Sequence, residues 1–284
     1  MPDFNTSIHD YDKTLTQKVE TALLDIWGRL GEYRQYLVLI GGLAPRYITA
    51  PTGAVDYSIS SHCGTMDIDF GVSIALSDVE KYKSIEKILK EAGYRNRLNK
   101  HGNKRLHSFV KRTDTDSVVI DFLTTTYSGP GNSLMHRVTD ELSAIQTKGL
   151  GLALSHPLKI RIQGTSLSGD IQEEVINVCR AAAYIPLKAL AYDGRRNGKD
   201  VYDLVYVLEN YLNGVDSVVD ETTEEDFASQ YFKEALECLS RHFRTSDHIG
   251  PAAYANFCGR QQDRLYAFSI VQEYLEKIAV RFGC

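Results

Sequence analysis

The chain has 284 residues, of which 43% are hydrophobic and 24% charged, which is ordinary globular usage and enough for one large domain or two modest ones. Its formal net charge of -5 argues against a protein that coats nucleic acid, although it leaves room for a local basic patch. The five cysteines are scattered without C-x-x-C spacing, no window approaches the length of a membrane span, and the N-terminal residues lack the apolar region of a signal peptide, so we expect a cytoplasmic protein with reduced cysteines.

The first elements of the chain predict a helix followed by a buried strand. Apolar residues at helical spacing indicate a helix over residues 15–34. The apolar run from Tyr36 to Ile40 is typical of a buried strand, and it ends at Gly41 and Gly42, a pair typical of a tight turn. We therefore expect this strand to lead directly into a glycine turn.

The stretch SHCGTMDIDFGVSI, residues 61–74, puts two carboxylates into a predicted strand. Alternation places Met66, Ile68 and Phe70 on one face, which can pack, and Asp67 and Asp69 on the other. Two anions about 4 Å apart repel by roughly 4 kcal/mol at an effective dielectric of about 20, so the arrangement favours a bound cation or an open cleft. The alternative is a strand edge with two solvated aspartates, which is common for an isolated D-x-D.

The following elements extend the predicted sheet. Ser77 is a candidate N-cap for a helix that runs to about Ala92 and stops at Gly93. Two strands, RLHSFVKR and SVVIDFLTT, come next and are joined around residues 113–116. This order of helices and strands indicates an α/β (α+β) architecture with a mixed sheet and flanking helices.

A third carboxylate, Asp121, lies inside SVVIDFL, which we expect to be a central strand buried on both faces. A lone charge there needs compensation, which backbone amides, an arginine or a metal ion can supply. If its strand neighbours the one that carries Asp67 and Asp69, the three carboxylates suit Mg²⁺, because this ion prefers hard oxygen ligands and nucleotide phosphates complete its octahedron.

The second half of the chain changes from loop and strand to helix. Residues 126–150 are rich in Gly, Ser and Thr and indicate a connecting region, after which PLKIRIQG and EEVINVCR predict two strands. From Tyr184 the pattern is helical, interrupted by an acidic loop, VDSVVDETTEED. We expect a domain boundary within residues 150–180, dividing a core of residues 1–165 from a mainly helical C-terminal domain of residues 166–284 that completes the cleft.

A basic stretch at residues 95–112, RNRLNKHGNKRLHSFVKR, stands out in an acidic protein. Such a cluster can bind a polyanion, and the alternative is a solvated hairpin balanced by acidic neighbours. Because a nearby site for nucleotides is expected, we interpret it as a contact for a nucleic acid. Its cationic residues are Arg95, Arg97, Lys100, Lys104, Arg105, Lys111 and Arg112.

The glycine pair, the D-x-D strand and Asp121 together resemble the nucleotidyltransferase superfamily that includes DNA polymerase beta. The resemblance implies that amides of the glycine turn hold a nucleotide triphosphate and that the three aspartates bind Mg²⁺. The chain departs from many members in having Gly42 where they carry Ser, so only backbone donors remain at that position. It also has an insertion, TAPTGAVDYSISSHCG, between the turn and Asp67.

The segment IPLKALAYDGRRNGKDVYDLVYVL, residues 185–208, resembles the last motifs of the AbiEii/AbiGii group of abortive-infection nucleotidyltransferase toxins. With T-x-D-I-D at Thr65, the match covers most of residues 37–208. The resemblance implies a catalytic set of Asp67, Asp69, Asp121, Lys188 and Asp203. It also implies nucleotide contacts from Gly41, Gly42, Thr65, Lys188, Arg195, Arg196 and Lys199.

Elementary physical chemistry leaves alternatives for this segment. Asp200 and Asp203 share a helix face, but Asp200 can equally be an N-cap, and Lys188 can extend from a packed helix toward solvent. In the functional interpretation, Lys188 binds the triphosphate and neutralises charge on the leaving pyrophosphate, while Asp203 orients Lys188 or a neighbouring arginine.

We therefore expect a Mg²⁺-dependent nucleotidyltransferase that moves NMP from an NTP to an acceptor hydroxyl. The family resemblance implies a toxin of a toxin–antitoxin or abortive-infection system, with the tRNA 3′ end as acceptor, the basic stretch as its contact and a cognate antitoxin as partner. Two alternatives remain: a small-molecule, aminoglycoside-like nucleotidyltransferase, and a non-catalytic scaffold that binds a nucleotide or a protein partner. The intact set of three aspartates and Lys188 argues against the scaffold.

Overall fold

The computed structural model describes residues 7–50, 61–73, 79–112, 116–125, 135–137, 143–166 and 169–283. The predicted N-cap Ser77, residues 113–115 of the predicted strand connection, and much of the predicted connecting region lie outside the described residues. Most of the insertion before Asp67 does too.

One mixed sheet unites the strands of the described residues. Its order is β3-β4-β5-β2-β1-β9-β8, and β7 pairs with both β5 and β6. The strands are β1 (Leu37–Ile40), β2 (Asp67–Val72), β3 (Arg95–Leu98), β4 (Lys104–Arg112), β5 (Ser117–Thr125), β6 (Met135–Arg137), β7 (Ser143–Thr147), β8 (Leu158–Thr165) and β9 (Ile171–Val178).

Helices flank the sheet and predominate in the described residues that follow it. In the first part they are α1 (Lys13–Leu30), α2 (Ala44–Ile48), α3 (Val79–Glu91) and α4 (Leu150–Leu154). The C-terminal region contains α5 (Ala181–Arg195), α6 (Gly198–Asn210), α7 (Val215–Glu221), α8 (Glu224–Ala228), α9 (Gln230–His242), α10 (Ile249–Cys258) and α11 (Arg264–Phe282). The predicted α/β architecture with a C-terminal helical region is confirmed.

Aromatic packing under the sheet holds one face of β2 and β5 in the core. The ring centroids of Trp27 and Phe70 are 5.8 Å apart, and those of Phe70 and Phe122 are 6.0 Å apart. The Trp27 indole N–H also donates to the carbonyl of Val175 at 2.9 Å, tying α1 to β9. Because side chains alternate along a strand, burial of Phe70 and Phe122 places the residues on either side of each of them on the opposite face of the sheet.

The strand β5 corrects one expectation about Asp121. Ile120, Phe122 and Thr124 are buried, but the residues that alternate with them are only partly buried. The strand is therefore central in the sheet yet buried on one face, because its second face forms the floor of a cleft.

The predicted acidic loop at residues 215–226 is wrong, because this segment forms α7 and α8. Val215, Val218 and Val219 recur at helical spacing and are buried, which outweighs the acidic composition. Thr223 then caps α8 in a capping box with Asp226.

Two other helices differ from the predicted bounds. The first begins at Lys13, after the N-cap Asp12, and ends at Leu30 because Gly31 adopts a positive φ of 53°. The helix expected from Tyr184 already begins at Ala181.

The sheet continues past the residue at which we divided the chain. Strand β9 pairs along its whole length with β8 and joins β1 at Leu39, so the sheet extends to Val178. The division into two domains stays a prediction. Within the described residues, the helices are too short or too polar to cross a bilayer.

Candidate active site

Three aspartates meet on the exposed face of two neighbouring parallel strands. Strands β2 and β5 pair in parallel with Asp69 opposite Asp121, and Asp67 lies two residues earlier on the same face. One carboxylate oxygen from each of the three residues lies within 4.8 Å of the others. We call Asp67, Asp69 and Asp121 the aspartate cluster. The strand pairing brings together carboxylates that lie more than fifty residues apart in sequence.

The electrostatics of the aspartate cluster are unfavourable without a cation. Burial and the charges of Asp67 and Asp121 raise the pKa of Asp69 well above its ordinary value, against the opposing influence of Lys188. Burial also raises the pKa of Asp121, against the opposing influence of the Ser108 hydroxyl on the neighbouring strand. The Oδ1 atom of Asp121 is buried and has no hydrogen-bond partner among the described residues. Three carboxylates, one of which has a buried oxygen atom without a hydrogen bond, offer the hard oxygen ligands that Mg²⁺ prefers.

Neighbouring atoms lie so close to both glycines of the turn after β1 that a larger side chain would collide with them. Gly41 has a φ of 70°, and a Cβ built there would lie 1.9 Å from Oδ2 of Asp69. A Cβ on Gly42 would lie 2.9 Å from Oγ1 of Thr65 and 3.0 Å from Nζ of Lys199. The glycine pair therefore lets the backbone approach the aspartate cluster and a lysine at once. The Thr65 hydroxyl donates to Asp67, which links it to the cluster.

Substituting Gly41 tests this close approach. We expect Gly41→Ala to displace the Asp69 carboxylate, lowering both the melting temperature and Mg²⁺ affinity in calorimetry. Gly283→Ala is the matched control, because Gly283 also has a φ of 70° but has nothing within 4 Å of its added Cβ. The control should lose only about 1 kcal/mol of stability from its φ. Equal effects of the two substitutions would contradict the steric argument.

Facing the cluster, α5 and α6 supply a basic wall, which we define as Lys188, Arg195 and Lys199. Two buried carboxylates, those of Asp200 and Asp203, accept hydrogen bonds from the basic wall. The Lys188 ammonium donates to Asp200 at 3.1 Å and to Asp203 at 2.7 Å, and Lys199 donates to Asp203 at 2.7 Å. Arg195 donates twice to Asp200, at 2.7 and 2.6 Å. Such charge-assisted bonds fix the direction of each cation.

The structure decides two alternatives left open by the sequence. The N-cap of α6 is Asn197, whose side chain accepts from the Lys199 amide, so Asp200 is not the cap. Lys188 does not extend to solvent, because its side chain is only 8% exposed. Burial alone would lower the pKa of Lys188, but Asp203 and Asp200 outweigh it and raise that pKa. Although burial opposes it, Lys188 and Lys199 hold the pKa of Asp203 far below its ordinary value. Each of these groups therefore stays charged.

A cleft of about 630 Å³ separates the aspartate cluster from the basic wall. Tyr11 and Leu15 from the N-terminal part of the chain line it, as do Leu123 and Ile145 of the sheet. Met66 also lines the cleft and is only partly buried, so its predicted place on the packed face is wrong, because it precedes the first residue of β2. The predicted site residues that line this cleft are Gly41, Gly42, Thr65, Asp67, Asp69, Asp121, Lys188, Arg195, Lys199 and Asp203.

Arg196, which was predicted to contact the nucleotide, does not line the cleft. It is the C-cap of α5 with a φ of 54°, and this left-handed conformation turns its side chain away from the direction of Arg195. Its guanidinium contacts His242 and Asp193 instead. We therefore exclude Arg196 from the candidate site and retain Arg195.

The basic stretch 95–112 forms the predicted hairpin, β3 and β4, but its cations separate. Arg97 lines the cleft, and Arg97 and Arg105 both oppose the rise in the Asp121 pKa. Arg95 donates instead to the carbonyls of Lys90 and Tyr94, at the end of α3. Lys111 lies over the Tyr94 ring, at 5.7 Å. Only part of the stretch therefore faces the aspartate cluster.

Sequence patterns missed three residues of the site. Tyr11 lines the cleft with its ring 5.1 Å from the Lys199 ammonium, and nothing in the local sequence signals this. Asn197 also lines the cleft, and its position three residues before Asp200 is a capping signal that could have identified it. His62 is buried behind the basic wall, where it contacts Asp203 at 3.0 Å.

Comparisons with known proteins add little to this geometry. No family model matches the chain, and no curated protein sequence matches it. Among solved structures, the chain is similar to the antibiotic-resistance factor ANT(2″)-Ia, with a TM-score of 0.39 and 14% sequence identity over 81% of this chain and 98% of that one.

Proposed function

We propose that the chain is a Mg²⁺-dependent nucleotidyltransferase that moves NMP from an NTP to an acceptor hydroxyl. One observation carries the proposal: the aspartate cluster and the basic wall face each other across a single cleft. Carboxylates that suit Mg²⁺, opposite fixed cations that suit phosphates, are the two components that phosphoryl-type transfer requires.

Each residue of the cleft has a role in this proposal. Asp67 and Asp69 would hold Mg²⁺ with the triphosphate, and Asp121 would help to hold a second ion. When bound, Mg²⁺ would neutralise the carboxylates and polarise the phosphate oxygens. Backbone amides of the glycine turn would donate to the triphosphate, and Lys188, Lys199 and Arg195 would offset charge on the leaving pyrophosphate.

The transfer step balances with these groups. The acceptor hydroxyl oxygen attacks the α-phosphorus in line, and its proton passes to the Asp121 carboxylate, which lines the cleft. The bond from the α-phosphorus to the bridging oxygen breaks as the new oxygen–phosphorus bond forms, and pyrophosphate leaves. Asp203 contributes indirectly, by orienting the two lysines.

A direct assay tests this activity. The protein is incubated with Mg²⁺, total RNA and each NTP labelled at the α-phosphate, with a sample in chelator as control. We expect label to pass from one or more NTPs to an acceptor, with release of pyrophosphate, and chelator to prevent it. Absence of transfer from every NTP, to RNA and to small hydroxyl compounds alike, would contradict the proposal.

For the acceptor we propose the 3′ end of tRNA, and for the biological role a toxin with a cognate antitoxin. The support is the family resemblance together with Arg97 in the cleft and Arg105 close to Asp121. Cations beside the group that accepts the hydroxyl proton favour an acceptor that carries phosphates. They disfavour a polycationic acceptor of the aminoglycoside type, because like charges repel. Growth arrest on induced expression and extended tRNA on a sequencing gel are the expected results.

The dependence of transfer on salt distinguishes an RNA acceptor from a small molecule. Binding to single-stranded RNA should weaken by roughly 0.7 log units per log unit of salt for each phosphate neutralised. Replacing Arg97 and Arg105 by Gln should flatten this slope and spare NTP binding. The matched control is Lys87→Gln with Arg161→Gln, which removes two exposed cations that do not line the cleft. A salt-independent reaction with a small hydroxyl compound, with unextended tRNA, would favour the small-molecule alternative.

A further inference from the structure

We infer that His62 is a positioning residue, which fixes the Asp203 carboxylate so that its two oxygens hold Lys188 and Lys199 in separate directions. The inference rests on the proposed function, because it explains how the phosphate-binding lysines of that site are set. His62 does not line the cleft and touches no group proposed to react. Its influence passes through Asp203.

The hydrogen bonds of the imidazole identify which nitrogen carries the proton. The Gly64 backbone N–H donates to Nδ1 of His62 at 3.1 Å, so Nδ1 is the acceptor. The other nitrogen, Nε2, lies 3.0 Å from Oδ1 of Asp203 and therefore donates to it. The ring cannot turn freely, because Tyr202 and Tyr206 pack against it with centroids at 5.2 and 4.8 Å.

Asp203 divides its oxygens between the two lysines. Oδ2 accepts from Lys188, whereas Oδ1 accepts from Lys199 and from His62. The His62 and Asp203 side chains are fully buried, so loss of the bond between them leaves a buried polar group unsatisfied. Without the His62 contact, rotation of the carboxylate about its χ2 angle would change both lysine directions together.

A neutral histidine suits this role better than another cation. Burial lowers the pKa of His62 to about 4, despite the hydrogen bond to Asp203. Among the described residues, ion pairs join Lys188, Lys199 and Arg195 to two carboxylates, Asp200 and Asp203, so this group carries one net positive charge. The Nε2–H group therefore orients Asp203 without neutralising it further.

Two substitutions separate the bond to Asp203 from the rest of the His62 environment. In His62→Gln the side-chain nitrogen occupies the place of Nε2 and can still donate to Asp203. In His62→Asn the side-chain oxygen occupies the place of Nδ1, so the variant keeps the Gly64 bond and loses the one to Asp203. Each variant loses one of these two hydrogen bonds, so a merely structural role predicts similar effects in both.

The measurements are melting temperature, affinity for tripolyphosphate by calorimetry without metal, and kcat and KM for the NTP. We expect similar losses of melting temperature in both variants. Tripolyphosphate affinity should fall by about tenfold or more in His62→Asn and remain near the wild-type value in His62→Gln, since hydrogen bonds to charged groups have effects of this size. The KM for the NTP should follow the same order.

Several outcomes are decisive. Equal tripolyphosphate affinities in the two variants would overturn the inference, whether or not the protein transfers nucleotides. Tripolyphosphate binding that follows the expected order without any transfer would support the inference and contradict the proposed function. If a variant does not fold, nitrogen NMR of the wild-type protein tests the same point. A proton on Nε2 of His62 supports the inference, and a proton on Nδ1 overturns it.

Discussion

Replacing Asp69 by asparagine should abolish nucleotidyl transfer while leaving the fold intact. Asp69 is the central member of the aspartate cluster, with Asp67 on its own strand and Asp121 directly opposite on β5. The amide keeps the shape of the side chain but removes the negative charge that a hard cation requires. We expect transfer to fall by about 10³-fold or more, measured as release of pyrophosphate at saturating Mg²⁺.

The stability of this variant supplies the second half of the test. The folded protein raises the pKa of Asp69, so the ionised carboxylate destabilises the fold at pH values above that pKa. In chelator at neutral pH, Asp69→Asn should therefore melt at or above the wild-type temperature, and the difference should shrink as the pH falls toward the pKa of an unfolded aspartate. Asp220→Asn, at an exposed position on α7, is the control and should change neither property. Unchanged transfer by a folded Asp69→Asn protein would contradict the metal assignment.

Replacing Lys188 by alanine should damage both transfer and stability. The ammonium is buried between Asp200 and Asp203, and its removal leaves these carboxylates with one cation fewer. Breaking a buried ion pair from one side costs about 3–5 kcal/mol of stability. Loss of a charge that stabilises the leaving pyrophosphate should lower kcat by about 10²-fold or more. Denaturant unfolding and pyrophosphate release measure the two effects.

A second buried ion pair separates these effects. Arg180 forms two hydrogen bonds with Asp226, away from the cleft, and both side chains are as buried as the Lys188 group. Arg180→Met should lose a comparable amount of stability and retain transfer at temperatures where it is folded. If Lys188→Ala behaves in the same way as Arg180→Met, then Lys188 is a packing residue and its proposed role in triphosphate binding is wrong.

The sequence by itself determined the local geometry of the aspartate cluster. Because side chains alternate along a strand, Ile68 and Phe70 in the core require Asp67 and Asp69 on the opposite face. The bounds of β5 were also predictable, because β-branched residues and a central aspartate stand out between polar flanks. These features depend only on residues that are close in sequence, so the periodic pattern of apolar and polar residues is enough to predict them.

The tertiary structure alone decided which distant residues share the cleft. Adjacent Arg195 and Arg196 look equivalent in the sequence, but the left-handed C-cap at Arg196 sends one to the basic wall and the other to His242. The contacts of Tyr11 with Lys199 and of His62 with Asp203 join segments more than 140 residues apart. Such contacts follow from the packing of helices against the sheet, and no local period encodes them. The acidic helix α7 differs from prediction for the same reason, because burial of its valines against the helical region outweighs local polarity.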